Sequence, residues 1–388
     1  MRTRTMRAMA IIIGLALAAG VRTAGAQGWA AVAVGSQHTC ALDEDGRAFC
    51  WGINHYGELG AATPETCGHA HHEGDTNPCY ASPSDAPVQV GGGMRFRAIS
   101  AGGNRSCGLD DAGRAWCWGE DFGKATAGCA RGSVCSFHPL RWAPDLVFRS
   151  LRLGEDAVCG ITAEGAGHCW RPIRGGRGKW TMTAVVPGER LAWVDQYGDW
   201  LNRDEQVICA ATEDGRAFCQ GANDLAQLGA GDSVPREGPV RVASAERFAQ
   251  VRPWQMWTCG LAVDGGAHCW GAAEGRSTWP AGTPSDPAFF DCATSVWCSG
   301  PRPVAPGLRF AALTFVNDRA CGLTSAGEVH CWGLGGAPSR LGDDVRFTAI
   351  DGSETHGCAL TAEGAVWCWG NNIGGSRTRL VRAPDPPR

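Results

Sequence analysis

The chain has 388 residues, among them 56 Gly, 21 Pro and 20 Cys, and its formal net charge is −4. A mildly acidic chain argues against nucleic acid as a partner, because nucleic-acid binding rests on basic patches. The even number of cysteines is typical of proteins that fold in an oxidising compartment. The length allows a large core, and the internal repeats described below indicate one repeat domain instead of two separate ones.

The first 26 residues have the three parts of a secretory signal peptide. Arg2, Arg4 and Arg7 form a basic start, residues 8–20 are almost wholly apolar, and residues 24–26 form a small-residue cleavage site. This run is too short to anchor a chain in a bilayer, and no later run of 18 apolar residues follows. The sequence therefore predicts a mature chain that is secreted, periplasmic or at the cell surface, without membrane insertion.

After the signal, one cysteine motif recurs seven times. Nine residues always separate its two cysteines, and a glycine always lies six residues after the first. The seven pairs are Cys40 with Cys50, Cys107 with Cys117, Cys159 with Cys169, Cys209 with Cys219, Cys259 with Cys269, Cys321 with Cys331, and Cys358 with Cys368. In the first copy, a three-residue loop closed by Asp43 and Arg47 places Gly46 in the left-handed position of a bulged hairpin turn. Cys40 then faces Cys50 at about 4.5 Å between Cα atoms, within disulfide range.

The residue after the first cysteine is always Ala or Gly, and its partner across the predicted hairpin is always aromatic or His. We interpret this as a ring lying over a bare backbone position of the neighbouring strand. His168, His268 and His330 share that partner position with Phe and Trp. The sequence therefore predicts that they are packing residues.

A second strand type precedes the cysteine hairpins, and three inserts interrupt the repeat. The clearest strands of this type lie at residues 29–35, 94–99, 148–153, 247–251, 310–313 and 347–350. The inserts, at 61–87, 124–139 and 276–303, carry the pairs Cys67 with Cys79, Cys129 with Cys135, and Cys292 with Cys298. Ten disulfides are therefore expected. Zinc ligation is the alternative, but the nine-residue spacing is unlike that of zinc sites.

Each unit is predicted to hold four strands: one near a Pro and a Val, one like Phe-Arg-Ala-Ile, and the cysteine hairpin. Seven such units predict an all-β chain whose residues 27–388 form one seven-bladed β-propeller of four-stranded antiparallel blades. The first unit has only three strands before the first insert, and residues 377–383 read as one lone strand. We therefore expect the N- and C-terminal strands to pair in one blade and close the ring, which removes an exposed edge.

The first copy also carries a longer pattern, Ala-Leu-x-x-x-Gly-x-x-x-x-Trp-Gly-x-Asn-x-x-Gly-x-Leu-Gly. Its positions are Ala41, Leu42, Gly46, Trp51, Gly52, Asn54, Gly57, Leu59 and Gly60. In this pattern the chain resembles the regulator-of-chromosome-condensation repeat family, over nearly all of the mature chain. The resemblance implies a seven-bladed propeller. It implies no single function, because the nuclear founder acts on a small GTPase and chromatin whereas a bacterial relative is a secreted β-lactamase inhibitor. The cysteine pairs depart from the founder and indicate a secreted, cysteine-rich branch of bacterial type, so nucleotide exchange is not carried over.

Two groups of side chains are candidates for a metal site or for core packing. The first insert holds imidazole and carboxylate groups that suit a transition metal, namely His69, His71, His72, Glu73 and Asp75. The simpler interpretation is a polar surface loop closed by a disulfide, so we predict no metal and no cofactor. The tryptophan that follows the second cysteine in six of the seven copies is predicted to pack between blades.

The leading hypothesis is a protein that binds another protein and is not an enzyme. Equivalent connections of a propeller emerge on one face, so the three inserts are expected to share a face. Aromatic residues are enriched at binding hot spots, and the candidates in the inserts and at their borders are Tyr80, Phe137, Trp142, Trp279, Phe289, Phe290 and Trp297. The alternative is that these rings only pack the inserts onto the propeller. A carbohydrate-binding propeller, or a hydrolase or lyase over the central channel, remain open as other functions.

Overall fold

The computed structural model describes residues 28–67, 79–125, 129, 134–173, 178–198, 206–255, 257–272, 297–333, 337–342, 344–371 and 379–387. These residues form strands, turns and bends, and none of them forms a helix that could cross a membrane. Seven four-stranded antiparallel sheets follow one another along the chain, with one small two-stranded sheet between β3 and β6. The predicted seven-bladed all-β propeller is confirmed.

Each blade uses four strands in chain order. Blade 1 has β1 (Trp29–Val34), β2 (His38–Asp43), β3 (Ala48–Gly52) and β6 (Ser84–Gln89); β4 (Glu65–Cys67) and β5 (Cys79–Ala81) form the small sheet. Blade 2 has β7 (Ala98–Gly102), β8 (Arg105–Leu109), β9 (Ala115–Ala125) and β10 (Val134–Trp142). Blade 3 has β11 (Phe148–Leu153), β12 (Val158–Thr162), β13 (Gly167–Pro172) and β14 (Trp180–Val185). Blade 4 has β15 (Leu191–Tyr197), β16 (Val207–Thr212), β17 (Ala217–Gly221) and β18 (Arg236–Arg241).

The other three blades repeat the same order. Blade 5 has β19 (Phe248–Trp254), β20 (Trp257–Ala262), β21 (Ala267–Ala272) and β22 (Trp297–Val304). Blade 6 has β23 (Phe310–Val316), β24 (Arg319–Thr324), β25 (Val329–Trp332) and β26 (Ser339–Leu341). Blade 7 has β27 (Ala349–Gly352), β28 (His356–Leu360), β29 (Val366–Gly370) and β30 (Val381–Arg382). The first strands of neighbouring blades contact one another all the way round, so they line the central channel.

The blade boundaries differ from the sequence prediction by one strand. The strand near a Pro and a Val was assigned to the start of a unit, but it is the last and outermost strand of the preceding blade, as β6 is in blade 1. Blade 1 is therefore complete without the C-terminal strand, and β30 pairs with β29 of blade 7. The expected pairing of the N- and C-terminal strands in one blade was wrong. The ends still meet at the seam, where the indole Nε1 of Trp29 donates to the Pro384 carbonyl at 2.9 Å.

The predicted hairpin register is confirmed in the first copy. Leu42 lies opposite Ala48 and Cys40 lies opposite Cys50. The Gly46 amide donates to the Asp43 carbonyl at 3.0 Å, and Gly46 has φ 77°, as a turn with a left-handed glycine requires.

Disulfides close the hairpins of all seven blades, as predicted. The Cα atoms of each pair lie 4.0–4.1 Å apart, slightly closer than the distance expected from the sequence. The bridges join Cys40 to Cys50, Cys107 to Cys117, Cys159 to Cys169, Cys209 to Cys219, Cys259 to Cys269, Cys321 to Cys331, and Cys358 to Cys368. Because each of these cysteines is held in a bridge, the alternative of zinc ligation by the hairpin pairs is wrong.

The three insert pairs are placed to different extents. An eighth bridge joins Cys129 to Cys135 within the second insert. In the first insert, Cys67 lies opposite Cys79 on β4 and β5. In the third insert, Cys298 lies on β22 opposite Gly271, whereas Cys292 lies outside the described residues. The bridge between Cys292 and Cys298 therefore stays a prediction.

The small residue after the first cysteine has a different cause from the one predicted. A Cβ built on Gly108 would lie 2.4 Å from the ring of Phe96, which comes from the segment leading into the blade's first strand. Gly160, Gly260 and Gly322 meet the rings of Phe148, Phe248 and Phe310 in the same way. At these four glycine positions a Phe at the start of the inner strand, or just before it, lies over the bare backbone.

The tryptophan after the second cysteine packs between blades, as predicted. Trp118 of blade 2 is fully buried among Leu59, Val90 and Cys40 of blade 1. Trp270 and Trp369 are likewise fully buried, each against the preceding blade. In blade 4 this position holds Gln220 instead.

Candidate functional site: the face that carries the inserts

The three inserts occupy one position in the fold. They connect the third and fourth strands of blades 1, 2 and 5. Because strands alternate in direction, these connections emerge on the same face of the disc as the turns between the first and second strands. We call this side the insert face. The cysteine hairpin turns lie on the opposite face.

Side-chain hydrogen bonds hold the base of the first insert. Asn54 is fully buried, and its Nδ2 donates to the Ala61 carbonyl at 3.0 Å and to Thr63 Oγ1 at 2.9 Å. Thr63 in turn donates to the Ser82 carbonyl at 2.7 Å, which ties the two ends of the insert together. The hairpin of β4 and β5 therefore projects from a fixed base.

The second insert contacts the turn that leads into the first insert, at the seam between blades 1 and 2. Gly57 approaches so closely that a Cβ built on it would lie 2.4 Å from the Ser136 carbonyl oxygen and 3.1 Å from the Phe137 amide nitrogen. Gly57 has φ 84°, so the close approach and the left-handed backbone both require glycine. Phe137 is half-buried on β10 at this contact. The second insert thus packs against the turn from which the first insert emerges.

The other predicted binding residues lie in several places. Trp142 is at the far end of β10, opposite Ala115, so it lies near the face with the hairpin turns. Its ring packs against those of Phe122, Phe148, Trp170 and Trp180, with centroids 4.7–6.4 Å apart. It therefore stabilises the blade 2–3 contact and does not belong to the insert face.

The structure does not describe the side chains of the remaining candidates. Tyr80 lies on β5 and Trp297 begins β22, and the structure describes only their backbone. Outside the described residues lie Trp279, Phe289 and Phe290, as well as the possible metal ligands His69, His71, His72, Glu73 and Asp75. No group of three metal-ligating side chains occurs in the part of the chain that is described.

Two carboxylates from distant turns meet at the mouth of the channel on the insert face. Ser36 Oγ of blade 1 donates to Glu155 Oε2 of blade 3 at 2.5 Å. Tyr197 Oη of blade 4 donates to Glu354 Oε1 of blade 7 at 3.4 Å. Burial, together with the neighbouring Glu354 carboxylate, raises the pKa of the Glu155 carboxyl well above its usual range. Sequence analysis missed this pair, because about 200 residues separate its members and only the ring brings them together.

Beneath the mouth, charged side chains from four inner strands fill the channel. Asp195 Oδ2 lies 3.0 Å from Arg252 Nε and 3.3 Å from Arg152 Nε, and Arg152 Nη2 lies 3.8 Å from Asp351 Oδ1. Burial, followed by the nearby Arg152 charge, lowers the pKa of Arg252 to about 10. The cavity left among the described residues here is about 30 Å³, room for about one water. The converging carboxylates therefore have no substrate-sized pocket below them.

Comparison with known proteins identifies the repeat. The sequence model of the Regulator of chromosome condensation (RCC1) repeat matches residues 29–58, 96–122 and 347–375. These stretches cover the hairpins of blades 1, 2 and 7. The chain carries RCC1 repeats.

Known proteins similar to this RCC1-repeat propeller include both yeast and human proteins. The guanine nucleotide exchange factor SRM1 of Saccharomyces cerevisiae is 24% identical over 249 residues, which is 56% of this chain and 49% of SRM1. The match thus spans about half the length of that curated relative. The structure of Prp20p from Saccharomyces cerevisiae, studied with its binding to Gsp1p and histones, matches with a TM-score of 0.62 and 17% identity over 83% of this chain and 80% of Prp20p. Human WBSCR16 matches with a TM-score of 0.66 and 15% identity over 88% and 94% of the two chains. At these identities the two structural matches show the fold alone.

A buried carboxyl in the first repeat gives a testable pH dependence. Glu58 is 1% exposed, and burial raises its pKa to about 8. Its Oε2 accepts the Tyr56 amide at 2.7 Å, just as Gln227 Oε1 in blade 4 accepts the Leu225 amide at 2.9 Å. Folded Glu58 stays protonated up to about pH 8, whereas the unfolded chain ionises near the ordinary pKa of 4.5. The raised pKa therefore makes the folded state lose stability as the pH rises between these two values.

We expect Glu58→Gln to keep the hydrogen bond and remove this loss. Urea unfolding should show similar stabilities at pH 4.5 and a variant more stable by at least about 1 kcal/mol at pH 9. The converse variant, Gln227→Glu, should acquire the same pH-dependent loss. A Glu58→Gln difference that is equal at the two pH values contradicts the assignment.

Proposed function

We propose that this chain is a secreted, disulfide-stabilised RCC1-repeat propeller that binds another protein through its insert face. The observation that carries the proposal is the fixed base of the first insert, which lies beside the turn that the second insert contacts. Long connections in compact repeat proteins are usually functional or disordered, and hydrogen bonds and a disulfide hold the described parts of the first two inserts.

Two further observations support parts of the proposal. Eight disulfides among the described cysteines are compatible with an extracellular location. Prp20p, which shares the fold, has binding partners that are proteins, Gsp1p and histones. That precedent favours a protein partner in general, and it does not extend to exchange activity on a GTPase.

Carbohydrate binding is the weaker alternative. Sugar-binding surfaces expose aromatic rings on which the sugar stacks, yet among the described residues the large exposed apolar side chains are aliphatic or Met. A glycan array probed with the mature chain separates this alternative from the proposal. Binding to a defined glycan overturns the protein-binding assignment.

The main test removes the projecting part of the first insert. Replacing Glu65–Ala81 with Gly-Ser-Gly deletes β4 and β5 and removes both Cys67 and Cys79, so no unpaired cysteine remains. We expect capture of a partner from the native culture medium to be lost while the melting temperature stays within a few degrees. Asp264→Asn, in a hairpin turn of the opposite face, is the control and should capture normally. Full capture by the shortened variant moves the site away from the first insert.

A further inference from the structure

The seam between blades 3 and 4 departs from the repeat on both of its sides. At other seams an indole fills the space: Trp118 Nε1 donates to the Glu58 carbonyl of blade 1 at 2.9 Å, and Trp270 Nε1 donates to the Gln227 carbonyl of blade 4 at 2.9 Å. Blade 4 offers Gln220 in place of the indole. The tryptophan side chain that packs at the other seams is thus replaced by glutamine at this one.

Blade 3 lacks the turn sequence that precedes such an indole at other seams. In blades 1 and 4 a glycine with positive φ, Gly52 or Gly221, breaks the pairing of the third and fourth strands. The chain then enters the Asn-x-x-Gly-x-Leu-Gly type of turn that packs on the next blade. Blade 3 has Arg171 in place of that glycine. Its third and fourth strands pair without a register shift as far as Pro172, which lies opposite Trp180. That turn sequence does not occur between β13 and β14.

The two departures leave a groove of about 690 Å³ at the seam, on the insert face. Ile208, Gln220 and Ala222 are buried at its base, and Arg171 and Gln206 flank them. No described residue of the lining has an aromatic ring. The groove is large enough for several residues of a peptide.

Three buried polar atoms in the lining have no hydrogen-bond partner among the described residues. Gln220 is 7% exposed and its Oε1 accepts no hydrogen bond. Gln206 Nε2 and Arg171 Nε are buried donors that also lack an acceptor. Such atoms are rare in native proteins, because a buried polar atom without a partner destabilises the folded state. One acceptor and two donors together complement a group that carries both an N–H and a C=O, as a peptide bond does.

The rim of the groove has unbalanced negative charge. Arg171 is paired with Asp156 at 3.0 Å, and Arg236 is paired with Asp232 at 2.6 Å. Asp224 and Glu237 are exposed at the rim and form no ion pair with any described residue. The rim therefore favours a basic side chain next to the bound peptide bond.

We propose that the groove between blades 3 and 4 binds an extended peptide segment of a partner protein, with the two glutamines pairing with a main-chain amide and the acidic rim holding a basic residue. This inference rests on the proposed function, because it supplies a second contact for a protein partner.

The test uses synthetic peptides and the full mature chain in ligand-observed NMR titrations. The probe is N-acetyl-Gly-Arg-Gly-amide. One comparison peptide has Glu in place of Arg, and another has N-methylglycine after Arg, which removes one main-chain N–H. We expect each comparison peptide to bind at least about tenfold more weakly than the probe. The Glu peptide loses the charged contact with the rim, and the N-methyl peptide leaves the buried Gln220 Oε1 without a donor.

Three variants decide whether binding occurs in this groove. Gln220→Trp restores the residue of the repeat, fills the groove and should abolish probe binding. If Gln220→Trp does not fold, the surface double variant Asp224→Asn with Glu237→Gln should still weaken the probe about tenfold. Asp264→Asn on the opposite face should bind as the wild type.

Equal binding of the Arg and Glu peptides overturns the proposal. So does unchanged probe binding in either groove variant, and displacement of the probe by maltotriose assigns the groove to sugars instead. Because the probes do not involve the first insert, failure here leaves the capture experiment valid, and failure of the capture experiment leaves this one valid.

Discussion

Replacing Asp195 with Ala is expected to destabilise the propeller by about 3–5 kcal/mol, because it removes the only described carboxylate in ion-pair contact with Arg252. Asp195 is 6% exposed and Arg252 is 9% exposed, so bulk water has little access to the charge that loses its partner. Arg152, 3.3 Å from Asp195, would then face Arg252 as a like charge. The ion pairs join blades 3, 4 and 5 inside the channel, so their loss should weaken the ring as a whole.

Urea unfolding of the oxidised chain at pH 7 measures this effect. The control is Asp264→Ala, which removes an exposed ion pair with Arg309 at 3.7 Å and should change stability by less than about 1 kcal/mol. Similar small losses for Asp195→Ala and Asp264→Ala would show that the channel charges are hydrated and contribute no more than a surface pair.

Trp118→Ala should destabilise the protein by a similar amount, about 3–5 kcal/mol. The indole is fully buried between blades 1 and 2, and its ring centroid lies 6.0 Å from that of Phe96. Truncation leaves a cavity and also removes the Nε1 donor at 2.9 Å from the Glu58 carbonyl, which then keeps the Ser106 hydroxyl as its donor at 3.2 Å. The backbone around it is held by the disulfide between Cys107 and Cys117 and cannot collapse easily into the space.

The matched control for Trp118→Ala is Gln220→Ala, the same truncation at the equivalent position of blade 4. The Oε1 of Gln220 accepts no hydrogen bond from a described residue across the seam. The truncation should therefore change the free energy of unfolding by less than about 1 kcal/mol. Equal losses at the two positions would mean that the groove between blades 3 and 4 is as tightly packed as the seam between blades 1 and 2.

The local geometry of each hairpin followed from the sequence alone. Nine residues between cysteines, with a glycine six after the first, permit one register, because strand pairing has a period of two and the turn requires a left-handed residue at Gly46. Seven repetitions of that unit predicted the number of blades. The tryptophan stripe was also predictable, because a large apolar side chain repeated at one position of a blade must be buried against its neighbour.

Only the tertiary structure decided which strands belong to one blade, how the ring closes and where the chain departs from its own repeat. The strand near a Pro and a Val reads equally well as the first strand of a unit or the last, since local patterns do not specify distant pairing; β6 and β30 show that it is the last. Glu155 and Glu354, or Arg171 and Gln220, carry no shared signal along the chain. They meet because ring closure and blade stacking set their positions, and the physical consequences of those contacts arise only once the blades have assembled.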